Sequence, residues 1–156
     1  MVPKILVVGL GNPILCDDSV GIRVAEALKS RINQERISVV EASIAGLDFL
    51  DSLAGYDKAI IIDAVQTVDG KVGQIYRFEP GTFKATRHAS TPHDVNFATA
   101  LELGKKLNLP LPKQIIIFGI EVKDVSTLGE ECTPEVEHAI PLCVEMVVKE
   151  LDGGAD

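Results

Sequence analysis

Ile5-Leu6-Val7-Val8-Gly9-Leu10-Gly11-Asn12-Pro13 decides the fold. Four apolar residues in a row, stopped by glycine and proline, read as a parallel strand buried on both faces, because a strand with one wet face would alternate. Just beyond it, Val20, Ile22, Val24, Ala25, Leu28 and Ile32 recur at helical spacing. Asp17-Asp18-Ser19 precede them, where acidic residues and a hydroxyl suit a helix N-terminus. The opening of the chain is therefore a strand, a Gly/Pro loop and a helix.

The same alternation continues outward. Ile37 to Val40 makes a second strand, and Leu47 to Leu53 suits a short covering helix. Lys58-Ala59-Ile60-Ile61-Ile62-Asp63 is a third strand, apolar until its last residue. Gln74 to Phe78 alternates polar with apolar residues, so it is expected at an edge or antiparallel. Glu79 to Thr91 reads as a loop, and Pro92 suits the first position of a helix running to Lys105-Lys106. Gln114 to Gly119 is another buried strand. Thr133 reads as the cap of a last helix that opens with Pro134 and Glu135 and runs to about Leu151, with Gly153 onward frayed. The pattern predicts one α/β domain over 1–156, a three-layer sandwich. Its sheet is five-stranded and mostly parallel, with one strand antiparallel and helices on both faces.

Composition limits the partners. The 15 basic and 23 acidic residues leave a net charge of −8, which repels nucleic acid and anionic membrane. That balance suits a cation or a partner presenting a basic segment. Three cysteines, Cys16, Cys132 and Cys143, lack ligand spacing and leave one unpaired, which fits a reducing cytoplasm. No export signal and no run of membrane-spanning length is present.

In a parallel sheet the carboxyl ends of the strands line one rim, where ligands bind. Asp17 and Asp18 follow the first strand, Asp63 closes the third, and His93 stands between the long loop and its helix. Two carboxylates and one imidazole suit Zn, Ni, Fe or Mn without selecting among them. Each residue also has a plain reading. Asp63 would cap a turn, His93 would sit idle in a first helical turn, and one of Asp17 and Asp18, Asp17 first, would only serve the helix end. His88, in the same loop, is a weaker candidate. Gly9-Leu10-Gly11 lacks the third glycine of a dinucleotide fingerprint, and two acids occupy the turn where a pyrophosphate would lie. No nucleophile elbow surrounds any serine. Carboxylates beside Cys16 would raise its pKa and blunt it as a nucleophile.

Taken together, Val8-Gly9-Leu10-Gly11-Asn12-Pro13-Ile14-Leu15-Cys16-Asp17-Asp18-Ser19-Val20-Gly21, Ile61-Ile62-Asp63-Ala64-Val65, Ser90-Thr91-Pro92-His93, Phe118-Gly119-Ile120-Glu121 and Leu128-Gly129-Glu130 with Thr133-Pro134-Glu135-Val136 resemble the hydrogenase maturation proteases. These endopeptidases process the large subunit of nickel-iron hydrogenases, and the resemblance covers almost the whole chain in order. It implies a peptidase that recognises nickel already installed in the large-subunit precursor and then removes the precursor's C-terminal extension. It further implies that Asp18, Asp63 and His93 contact that nickel, carried by the substrate rather than held permanently, and that another divalent cation can take its place in a purified sample. Asp17 corresponds to the acidic neighbour not assigned as a ligand, and it is kept as a weak candidate for taking a proton. The implied partner is the precursor, with no nucleic acid or membrane, and the expected state is a monomer. Ser19 departs from the family, which often has glycine there. Either the backbone is ordinary helix with Ser19 capping it, or the loop is shaped differently. A metal-sensing or chaperone module that binds the nickel-bearing partner without cutting it is the alternative, and a hydrolase of the same layers acting on a small substrate is the third.

Overall fold

A computed structural model describes residues 2–42, 47–67, 69–80 and 97–153. Its elements in chain order are β1 (Ile5–Leu10), a 3-10 turn (Cys16–Ser19), α1 (Val20–Arg31), β2 (Ile37–Ala42), α2 (Leu47–Leu53), β3 (Lys58–Val65), β4 (Ile75–Phe78), α3 (Phe97–Lys106), β5 (Gln114–Glu121) and α4 (Pro134–Gly153). The five strands form one sheet in the order β2-β1-β3-β5-β4. β1 pairs in parallel with β2 and β3, β3 pairs in parallel with β5, and β4 is antiparallel to β5. The α/β sandwich expected from the sequence is therefore present, with the alternating strand at an edge.

Side chains alternate across the sheet and sort the core into two layers. Ile5, Val7, Ile60, Ile62, Ile116 and Phe118 pack with Val24 and Leu28 of α1 and with Val136, Cys143 and Val147 of α4. Leu6, Val8, Leu10, Ile61 and Ile117 pack on the other face with Leu50 and Leu53 of α2 and Leu101 of α3. Continuous apolar runs in β1 and β3 follow from this, since every residue of both strands is buried.

Several boundaries differ from the sequence reading. β3 does not stop at Asp63 but continues to Val65, because β5 runs alongside it as far as Glu121 and the ladder persists. Asp63 thus lies inside a strand, opposite Gly119. Thr133 does not cap its own helix with its hydroxyl, which donates to Asp17 instead. The last helix extends through Gly153 rather than fraying there. The expected start of the third helix at Pro92 lies outside the described residues. Among the described residues no helix is long and apolar enough to cross a membrane.

Strand order places a switch at β1 and β3. From β1 the chain crosses to β2 on one side and then returns to β3 on the other. Connections leaving the two central strands diverge there, and in such sheets the carboxyl ends of the strands beside such a point are the usual ligand position.

Candidate active site

The residues after β1 reach this rim through a tight loop. Gly11 has φ +151°, and a β-carbon there would collide with the carbonyl oxygen of Asp18, so the loop closes only on glycine. Asn12 caps the bend, its side-chain oxygen accepting the Ile14 N–H at 3.1 Å. The 3-10 turn follows and contacts β3. Cys16 takes the left-handed φ of 40°, which costs a non-glycine residue about 1 kcal/mol. Its N–H donates to the Gly129 carbonyl at 2.9 Å, which helps to hold it there.

Ser19 has φ −81° and ψ −4°, ordinary right-handed backbone. Of the two outcomes expected for the departure from glycine, the helical one holds, but without the cap. The Ser19 hydroxyl donates back to the Cys16 carbonyl at 2.7 Å and makes no capping bond to α1.

Asp18 is buried, only 2% exposed, and its Oδ2 accepts the Asn12 N–H at 3.2 Å. Asp63, also 2% exposed, points to the same sheet face as Ile61 and Val65, the face covered by α2 and α3. Its Oδ1 accepts the N–H of Ala64 at 2.8 Å. Two acidic side chains from the loop after β1 and from β3 are thus withdrawn from water on one rim. Burying a carboxylate is costly unless hydrogen bonds or a cation compensate it. His93 and His88 lie outside the described residues, within the segment that leads into α3. Among the described residues no group of three His, Cys, Asp or Glu side chains is arranged to hold a metal ion.

Asp17 is built differently from its neighbour. Its fully buried carboxylate accepts five hydrogen bonds: from the N–H groups of Lys123 and Asp124 at 3.0 Å each, from the Thr133 N–H at 2.6 Å, from the Thr133 hydroxyl at 2.9 Å and a long one of 3.9 Å from the Cys16 thiol. No sequence signal marks Thr133 as its partner, 116 residues away.

Glu121 was not singled out as a site residue from the sequence, although β5 ends on an acid much as the isoleucines of β3 run into Asp63. Its buried carboxylate accepts the Thr67 N–H at 2.9 Å, the Thr67 hydroxyl at 2.6 Å and the Tyr76 hydroxyl at 2.9 Å. It pins the exit of β3, just past Asp63, to β5 and β4.

The thiols are poor nucleophiles. Cys16 is raised above the ordinary thiol value by burial first, then by the carboxylates of Asp17 and Asp124. Burial pushes Cys132 up to about 11. A groove of about 610 Å³ opens beside the turn, lined by residues that include Pro13, Ile14, Ser19, Arg23, Glu130 and Glu131.

Comparison with known proteins gives these features a family. The family model for the hydrogenase maturation protease HycI matches residues 22–150. The hydrogenase 2 maturation protease of Escherichia coli (strain K12) is 30% identical over 152 residues, covering 95% of this chain and 90% of that protein. The hydrogenase expression/formation protein HupD of Thiocapsa roseopersicina is 24% identical over 160 residues, covering 96% and 68%. The solved structure of the hydrogenase maturating endopeptidase HybD from E. coli superposes with a TM-score of 0.83 at 27% identity, covering 97% of this chain and 93% of that one. With the matched model spanning most of the chain and the fold in agreement, this chain belongs to the hydrogenase maturation protease family.

Proposed function

We propose that the chain is the endopeptidase that removes the C-terminal extension from the large-subunit precursor of a nickel-iron hydrogenase, and that Asp18, Asp63 and His93 recognise nickel already seated in that precursor. The observation that supports this reading is that two carboxylates, Asp18 just after β1 and Asp63 in the adjacent β3, are both buried toward the carboxyl ends of those strands, in a chain of this family. Carboxylate oxygens with an imidazole form a donor set suited to a borderline divalent ion, and three protein donors leave positions for the substrate's own ligands.

Nickel is cargo here, part of the substrate. In the complex it supplies a Lewis acid able to polarise a carbonyl or acidify a water. The residues of the chain bind and orient. Asp18, fastened to the Asn12 N–H, and Asp63, fixed within a five-stranded sheet, present charge at a rim shielded from water, where electrostatic attraction is stronger than in bulk. The groove beside the turn has room for an extended segment of the precursor, and Glu130 and Glu131 in its lining favour basic side chains.

The test is incubation of the full chain with nickel-loaded and nickel-free precursor, followed by intact mass. Loss of the extension only from the loaded form is expected, with Asp63→Asn slowed by at least about a hundredfold, the scale of losing a principal substrate contact. Full-rate cleavage by that variant sinks the site assignment. Binding of loaded precursor with no change in its mass favours the metal-sensing module.

A further inference from the structure

Asp17 precedes Asp18 in the chain, yet its contacts lie elsewhere in the fold. Lys123 and Asp124 stand at one end of the loop 125–132, and Thr133 stands at the other. One buried carboxylate accepts from all three and so closes both ends of that loop. The loop in turn grips the backbone leading into the site. Asp17 N–H donates to the Asp124 carbonyl at 2.8 Å, Cys16 N–H to the Gly129 carbonyl at 2.9 Å, and Gly129 N–H to the Ile14 carbonyl at 2.8 Å. A guanidinium nitrogen of Arg23 adds a bond of 2.7 Å to the Glu130 carbonyl. Asp18, next in the turn, has its own tie to Asn12.

On the reading that Asp18 meets the precursor's nickel, we infer that Asp17 is a positioning residue, which holds Asp18 in place by fastening the 3-10 turn to the loop 125–132. A carboxylate has room for about four donors, and Asp17 already has four N–H and O–H donors besides the Cys16 thiol. Neither oxygen is left to receive a proton from substrate or water, so the role of proton acceptor does not fit it. Hydrogen bonds to an ionised acceptor are stronger than neutral ones, so the anchor is stiff. Left-handed backbone at Cys16, inside the same turn, is the conformation that such an anchor must hold against its intrinsic preference.

The decisive variant is Asp17→Asn, which keeps the size but replaces one acceptor oxygen with an N–H₂ group facing donors. Amide hydrogen exchange on the folded full chain, without metal, reads its effect. Faster exchange is expected at Lys123, Asp124 and Thr133, and also at Asn12, by about tenfold, the scale of one lost hydrogen bond. Asn12 does not touch Asp17. Its amide reports on the Asp18 carboxylate, so unchanged exchange there overturns the inference. Leu151→Ala, a core truncation in α4, is the control, and an equal rise at Asn12 in that variant would mean general loosening and would overturn it too. Thr133→Val removes only the hydroxyl donor and is expected to give the same pattern at smaller size. It serves if Asp17→Asn does not fold, with the same overturning result. On nickel-loaded precursor, Asp17→Asn is expected to lower kcat by about tenfold with KM within about twofold, as for a residue acting through another. An unchanged kcat counts against the inference. Wild-type cleavage by Asp18→Asn would sink the site reading while the exchange result for Asp17 stood, so the two can fail separately.

Discussion

Gly9 of β1 and Gly21 of α1 meet backbone against backbone. A β-carbon on Gly9 would fall on the carbonyl oxygen of Gly21, and one on Gly21 would fall on the carbonyl oxygens of Leu10 and Ile62. Gly9 and Gly21 are thus packing glycines, which let the helix come down onto the sheet. Because α1 starts directly after the 3-10 turn, this contact also sets how close Asp18 comes to the rim of β3.

Gly21→Ala is therefore expected to destabilise the fold by about 3 kcal/mol, the upper range for overpacking, since backbone has to move and not a flexible side chain. Urea denaturation measures the loss. Cleavage of precursor should fall further than the unfolded fraction accounts for, because the displaced helix takes the turn with it. A variant as stable and active as wild type would refute this account of the contact.

The Glu121 cluster predicts a second pair of variants. Glu121→Gln puts an N–H₂ group among donors from Thr67 and Tyr76, and stranding buried donors costs about 2 kcal/mol. Tyr76→Phe removes one donor and leaves the carboxylate its two bonds to Thr67, so about 1 kcal/mol is expected. Denaturation midpoints that place Tyr76→Phe below Glu121→Gln would reverse the ordering.

A third prediction concerns pH. Glu150 of α4 joins Lys58 at 3.0 Å and Arg77 at 2.7 Å, with Lys58 buried. Its pKa lies below the ordinary glutamate value of 4.5, first through the hydrogen bond from Arg77 and then through Lys58, against the opposing effect of burial. A group whose folded pKa is lowered stabilises the fold above its unfolded pKa, and that stability is lost as pH falls through the folded pKa. Glu150→Gln should cost about 2 kcal/mol near neutrality, where it strands the buried Lys58 ammonium. The gap between variant and wild type should close as pH falls from 4.5 downward, as seen in midpoints measured across that range. A gap that stayed constant would exclude the ionised pair as its source.

Thiol labelling gives the fourth. All three cysteines are free, and Cys143 is buried among the side chains of α1 and α4 with its pKa pushed up to about 12. At pH 8 an alkylating reagent should modify half-buried Cys16 slowly and leave Cys132 and Cys143 untouched until the chain unfolds, because the thiolate is the reactive form. Labelling of Cys143 at the rate of Cys16 in the native chain would contradict this burial.

The order of strands and helices was legible in the residues because apolar runs and helical spacing are local properties. Ile60-Ile61-Ile62 can be only a strand buried on both faces in such a pattern, and Gln74 to Phe78 announces an edge by alternating. Asp18 and Asp63 were likewise legible as candidates, since each follows or interrupts an apolar strand. Strand ends were less so. Val65 and Glu121 extend β3 and β5 because each supplies the other's hydrogen-bonding partner, a condition that neither segment carries alone.

The sequence separates Asp17 from Asp18 only by their order in the turn and by resemblance, since the side chains are identical, and it names no partner for either. Their difference comes from groups more than a hundred residues away: Lys123, Asp124 and Thr133 converge on the first carboxylate, while the second faces the loop it follows. Residue type and spacing determine which segments become strand or helix. Which of two adjacent acids gathers distant donors is decided only when the backbone brings them to one of them, because hydrogen bonds are short and directional and the sequence does not record which groups will meet.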